Sequence, residues 1–481
     1  MIAHDDPHFI SRDPANNGIT NHSLAIRARL SHNSTLQHIP YAHSIPTSVI
    51  FTRDSIIAQT STCMEFLSLP NEIILQISHF QYPRDTNALL RTNRRLAALL
   101  APALLDNTCC FQFKQRASAA LNAAAMRQDR TKVNRLVHKG IINLFGGGWL
   151  LGQAVRSRSL DAVRTLLECG FEADARDPDG LSPLFTAVYC GLPAVVKLLL
   201  EQESVDVNAI LNRGDPTKVY TPLLIAAEEG KVEIVRLLLE SPALDVNAQD
   251  HAYRTALHLA VGCGREEVAL ALLADKRLKV NISNLLDGTA LHVAAQYGSE
   301  GIVKAMLEDD RFNVNHRNEE GATPLHLAAY MGRGMVVQMF LDDRRVDPEI
   351  EGGNGDRPLH YAARYGHQDV TRALLDDARI NINSISGYHR TPLHHAVIGD
   401  SSGVIPLLLA DQRLDPNIRD LSGRTAFHTA VHRELEASVR LLLADSRVDT
   451  SIEDITGCSP LQTATTKDFK NIVGILLRGA A

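Results

Sequence analysis

At 481 residues, 22% of them charged and 45% hydrophobic, the chain is long enough for roughly three domains of ordinary size. Its 49 Lys and Arg against 55 Asp and Glu leave a net charge of -6, the wrong sign for a surface that holds a nucleic-acid backbone. The seven cysteines are odd in number, scattered and nowhere spaced as C-x-x-C, so neither a disulfide framework nor a zinc site is signalled and a reducing compartment fits. No apolar run reaches the about 18 residues of a membrane span, and Asp5, Asp6 and Asp13 stand where a signal peptide would be basic and then apolar. The protein is therefore expected to be cytoplasmic or nuclear, with no membrane and no nucleic acid among its partners.

Residues 1–60 are rich in His, Asn and Ser without an amphipathic period and are expected to be disordered. Their six histidines are too irregularly spaced for a metal site. The composition changes at Cys63. In Met64 to Ser78, Pro70 and Glu72 mark a helix start, and Ile73, Ile74 and Ile77 form one apolar stripe. A second amphipathic segment, Thr86 to Leu100, is ended by Pro102.

This small set of helices, opening L-P-x-E-I-x-x-x-I and later reading T-N-R-R-L, resembles an F-box across residues 64–110. Leu69, Pro70, Glu72, Ile73 and Ile77 match the opening motif of that family, and Leu90, Asn93, Arg94, Leu96 and Leu99 match its later helix. The chain departs from the pattern in the polar stretch His79 to Asp85 and in having Ala97 or Ala98 where a Trp is frequent. The resemblance implies docking on a Skp-type adaptor that bridges to a cullin-RING ubiquitin ligase. The alternative is a plain helical cap on the C-terminal two thirds of the chain.

Residues 115–145 read as a degenerate helical linker or capping repeat, with a helix pair between Leu121 and Val137. From 146 to 481 one short phrase recurs: S-P-L-F-T-A at Ser182, T-P-L-L-I-A at Thr221, T-A-L-H-L-A at Thr255, and relatives at Thr289, Thr323, Arg357, Thr391, Thr425 and Ser459. After a first step of 39 residues every step is 34. The Thr or Ser is a natural N-cap and the Pro suits a first helical turn, so a helix starts there. A small Ala five residues on lets helices approach, and a turn at Gly230, Gly298, Gly332 or Gly366 leads to a second apolar run such as Val232 to Leu239. A D-x-x-G turn returns the chain to the next phrase. One pair cannot bury its own apolar face, so neighbours must stack into a continuous core.

The phrase and its period resemble the ankyrin repeat, predicting an all-α solenoid of about ten units with hairpin loops between them. Residues 149–181 fit as an atypical unit, and the helix Asn471 to Arg478 closes the array.

Six phrase histidines (His258, His292, His326, His360, His394, His428) recur at this interval. They lie on successive units and do not converge, so they are expected to cap helix starts, and neither a metal nor any other cofactor is implied. The chain differs from the ankyrin pattern where a Gly would follow the second helix. Six consecutive units instead have Asp-x-Arg, from Asp275/Arg277 to Asp445/Arg447. This predicts a ladder of alternating charge, either structural or a partner surface.

Ankyrin arrays usually bind through hairpin tips and the exposed ends of first helices. Seven and eight residues after the phrase opening stand Tyr189, Glu228, Glu229, Tyr297, Tyr330, Met331, Arg364, Tyr365, His432 and Arg433. Three further tyrosines, Tyr220, Tyr253 and Tyr388, fall in hairpin tips. Tyr and Arg dominate interface hot spots, so Tyr297, Tyr330, Tyr365 and Arg364 are expected to form one patch that binds a protein substrate. The alternative is that the rings pack on neighbouring units.

No nucleophile elbow, phosphate loop, zinc-protease or kinase motif occurs, and Gly146 to Trp149 is an isolated glycine run, so no catalysis is expected. The charge divides into 12 basic and 9 acidic residues over 1–130, and 37 and 46 over 131–481. Taken together, the two resemblances imply a substrate receptor of an SCF-type ubiquitin ligase, monomeric outside that complex. The alternative is an ankyrin scaffold with no part in ubiquitination.

Overall fold

The structure is a computed structural model that describes residues 109–139, 141–142, 146–211 and 219–479. The chain divides into two compact units, Met1–Ala103 and Leu104–Ala481, and only the second is described. Leu69, Pro70, Glu72, Ile73, Ile77, Leu90 and Leu96 lie outside the described residues.

Among the described residues there are 22 α-helices and no strand beyond three isolated bridges. They run as antiparallel pairs. The first two pairs are Cys109–Met126 with Arg130–His138, and Gly147–Arg156 with Leu160–Glu168. Nine more follow, one for each phrase, from Pro183–Cys190 with Pro193–Leu200 to Pro460–Thr466 with Lys470–Gly479.

Each phrase does locally what its residues dictate. The Ser182 hydroxyl accepts the Phe185 N–H and Thr221 accepts that of Leu224, with Pro next in line as the first helical residue. Thr323 and His326 form a capping box. Gly191, Gly230, Gly298 and Gly366 end their helices in the left-handed region, which spares the chain a Cβ clash. The nine phrase alanines, Ala187 to Ala464, are fully buried between neighbouring first helices, and one apolar cluster runs without a break from Leu121 to Leu476. The glycine run has a packing cause as well, since a Cβ on Gly148 would collide with the Arg176 carbonyl oxygen.

Polar staples join unit to unit. Each phrase histidine from His258 to His394 accepts the N–H of its own opening residue at Nδ1. Its Nε2 then carries the proton and donates to a carbonyl 30 residues on, as His292 does to Ala322 at 3.1 Å and His360 to Arg390 at 3.0 Å. The imidazoles thus reach beyond their own helix starts. A row of asparagines works the same way: Asn247 donates to the Arg277 carbonyl and accepts the Lys279 N–H.

The Asp-x-Arg series is a third staple and not an open ladder of alternating charges. Each Arg is clamped by its own Asp, for example Arg311 to Asp309 at 2.7 Å. It then donates to carbonyls at the end of the preceding unit's second helix, as Arg311 does to Leu273 at 2.8 Å and Arg379 to Leu341 at 2.7 Å. A cation on those carbonyls satisfies orphan acceptors at the negative end of a helix.

Candidate interaction surface

The ends of the first helices are sealed by side chains of the next unit. Lys231 donates to the Val188 and Tyr189 carbonyls at 2.9 and 2.8 Å, Arg265 to Glu228, Arg333 to Gln296 and His367 to Tyr330. Ser401 donates to Arg364 at 3.1 Å, Arg433 to Ile398 at 2.6 Å and Lys467 to His432 at 3.2 Å. These carbonyls are therefore engaged within the array, and recognition of a partner here falls mainly to side chains.

The candidate residues fall into separate groups. Tyr330 and Tyr365 meet edge to face with centroids 4.6 Å apart, and Tyr330 also meets Tyr361 at 6.2 Å. Tyr330 and Met331 are half-buried, whereas Arg364 and Tyr365 are exposed. Burial raises the Tyr365 hydroxyl above the usual tyrosine range. The Arg364 guanidinium makes no hydrogen bond or ion pair among the described residues, leaving it available beside the rings. Tyr297 is exposed too but is in no ring contact with the others, so the ring contacts join Tyr330 and Tyr365, with Arg364 beside them. Ring packing on neighbours and exposure coexist here: Tyr330 buries one edge on Tyr361 and Tyr365 while their outer edges stay wet.

The remaining candidates lie away from this cluster. The Tyr189 ring is covered by Lys231, whose ammonium is 5.6 Å from the ring centroid. Glu228 and Glu229 are half-buried on the next unit, and Glu228 is near enough to Cys263 to help burial raise that thiol. At the far end His432 is half-buried, and Arg433 is committed at one nitrogen to the Ile398 carbonyl.

The sequence reading missed what lies under the tyrosines. The position four residues after the phrase opening is aliphatic in four consecutive units (Ile225, Leu259, Val293, Leu327) and then becomes Tyr361 and His395. His395 is buried, and its Nε2 lies 3.3 Å from Asp356 Oδ1, although neither atom is aligned for a hydrogen bond. The His360 and His395 rings meet at 5.0 Å. Burial pushes the Asp356 carboxyl up to about 7 and the His395 imidazole well below its ordinary range, so both favour their neutral forms. The signal was present in the column of residues, which changes character at Tyr361.

This is a stack of helix pairs with one continuous core, the architecture of a helical-repeat solenoid. A family model of ankyrin repeats, three copies long, matches residues 121–211, 206–284, 276–352, 335–420 and 400–481. The chain belongs to the ankyrin repeat family, and its array is a module for protein–protein interaction. No F-box family model matches it. Among the described residues no helix is long and apolar enough to cross a membrane, and no group of His, Cys, Asp or Glu is arranged to hold a metal ion.

Proposed function

We propose that the array captures a protein partner through the surface centred on Tyr330, Tyr365 and Arg364, and that the chain is a substrate receptor of a cullin-RING ubiquitin ligase. The observation that carries the first half is the edge-to-face tyrosine pair beside an unpaired, exposed guanidinium. Two aromatic rings held by packing lose little freedom on binding, and an Arg whose guanidinium makes no internal hydrogen bond has its donors to offer. The second half rests on the sequence of residues 64–110, where Leu69, Pro70, Glu72, Ile73 and Ile77, with Leu90 and Leu96, carry the F-box-like pattern that would hold a Skp-type adaptor. A protein brought to the array would then be presented for ubiquitin transfer by the rest of the ligase.

A second reading, a scaffold that joins partners without ubiquitin chemistry, is favoured by the absence of an F-box family match. One pull-down separates them. Full-length protein is expected to retain a Skp-type adaptor, and the double substitution Leu69→Ala, Ile73→Ala to lose it while array-bound protein stays attached. Wild-type protein that retains no adaptor supports the scaffold.

A further inference from the structure

The hairpin tips carry apolar side chains that their turns do not need. In three of these turns one side-chain oxygen does the folding work: Asp250 Oδ1 accepts the N–H groups of Ala252 and Arg254, Asn284 Oδ1 those of Leu286 and Gly288, and Asp420 Oδ1 those of Ser422 and Arg424. The residues between are free to be hydrophilic, as turns usually are. Instead Tyr253, Leu285 and Leu286 project from two adjacent tips, and Tyr388, Leu421 and Ile455 from three others. Leu286 is 64% and Ile455 71% exposed, so neither contributes appreciably to the core. Single exposed apolar residues are ordinary, but rows of them on adjoining elements mark contact sites.

Each row sits on a fixed rim. The Leu285 N–H donates to the Ala252 carbonyl at 2.9 Å, that of Leu421 to Tyr388 at 3.2 Å, and that of Ile455 to Ser422 at 3.2 Å. Asp287 follows Leu286 in its own tip and Glu319 and Glu320 stand on the next, all exposed and none in an ion pair among the described residues; Arg317, exposed at the base of that tip, donates to the Gly321 carbonyl and leaves the group net acidic. The rim thus reads apolar, acidic and, past the uncharged tip Gly353–Gly355, apolar again.

We propose that this rim docks one extended protein segment in which two apolar clusters flank a basic stretch. From Leu286 to Tyr388 is three units. At about 10 Å per helix-pair step and about 3.3 Å per extended residue, the apolar anchors of the segment lie roughly nine residues apart. The Lys or Arg residues between them face Asp287, Glu319 and Glu320, which gives the encounter its orientation and its salt dependence. The proposal rests on the array's role in protein capture, but it uses a surface separate from Tyr330 and Tyr365.

The test is selection of a random 16-residue peptide library on the full-length protein, followed by anisotropy titration of the enriched peptides. The expected peptides carry apolar residues at both ends and Lys or Arg between. Their affinity is expected to fall about tenfold in Leu285→Ser, Leu286→Ser and in Leu421→Ser, Ile455→Ser, and about fivefold with a weakened salt dependence in Glu319→Gln, Glu320→Gln. All six positions are exposed, so an unchanged thermal unfolding curve verifies the fold. Peptides lacking the pattern, absence of enrichment, or equal binding to the rim variants overturns the proposal. If binding survives every rim substitution but is lost in Tyr330→Ala, Tyr365→Ala, the rim proposal fails while the capture reading stands.

Discussion

Single residues in this array depart from the repeat in ways whose cost can be measured. Six units place a Gly at the residue that ends the first helix, from Gly191 to Gly366, but the last three have Asp400, Glu434 and Asp468 there with φ of 51, 60 and 55°. A side chain in this region costs roughly 1–2 kcal/mol, partly offset by the freedom a Gly would lose. Glu434→Gly is therefore expected to stabilise the array by about 0.5–1 kcal/mol in urea denaturation. Asp356 has the opposite origin of strain. Its carboxyl titrates near 7 when folded and near the ordinary carboxylate value when unfolded, so it opposes folding increasingly as pH rises from about 4 to 7. Asp356→Asn is expected to gain roughly 1–2 kcal/mol at pH 7.5 and nothing at pH 4; an equal gain at both would exclude the titration. The phrase histidines act in the other direction. Buried and neutral, with His258, His292 and His326 lowered to about 4 and His360 to about 3, they give stability that is present above about pH 6.5 and is lost as pH falls toward their folded values. His326→Gln, His360→Gln keeps a capping side chain of the kind Gln462 supplies to the Ser459 N–H. It is expected to flatten the decline in stability between pH 6.5 and 4, and a decline parallel to wild type would contradict this.

At the scale of the helix pair, most of the architecture was legible before the structure. The N-caps, the Pro at the first turn, the buried Ala and the turn Gly each act within one helix or one turn, so a 34-residue window contains both the cause and the effect. The sequence reading of the second helix as Val232 to Leu239 agrees with the structure for that reason. What was not legible spans two units. The spacing of Asp309 and Arg311 announces a pair, but not that Arg311 reaches back 38 residues to the Leu273 carbonyl, because the stacking geometry, and not the spacing, decides which acceptor lies within reach. The same holds for Asp356 beneath His395, brought together across the junction of two units. The staple makes its own prediction. Arg447, held by Asp445 at 2.7 Å, donates to the Asp411 and Leu414 carbonyls at 3.1 and 3.2 Å. Arg447→Met keeps the stem and removes these bonds, and is expected to cost about 1–2 kcal/mol. Asp445→Asn is expected to cost less, since the guanidinium keeps its carbonyls. Equal and negligible losses from both would return the series to ordinary surface pairs.

For the whole molecule, the estimate of three domains gave the wrong division. From Leu121 to Leu476 there is one core, so stability is a sum over neighbouring units and the array offers a long preformed surface instead of a cleft. On such a surface the interior of the sequence pattern is fixed by stacking, and the positions released from it are where binding is specified. The tyrosines were visible in advance because they occupy those positions, but their contacts were not: Tyr330 and Tyr365 meet edge to face, whereas Tyr297 is in no ring contact with them. The most direct test compares the proteins retained by full-length wild type with those retained by Tyr330→Ala, Tyr365→Ala, quantified side by side after both are shown to unfold at the same temperature. Loss of the principal bound protein by at least about tenfold is the predicted result. Equal recovery from the two would contradict a binding surface centred on this pair.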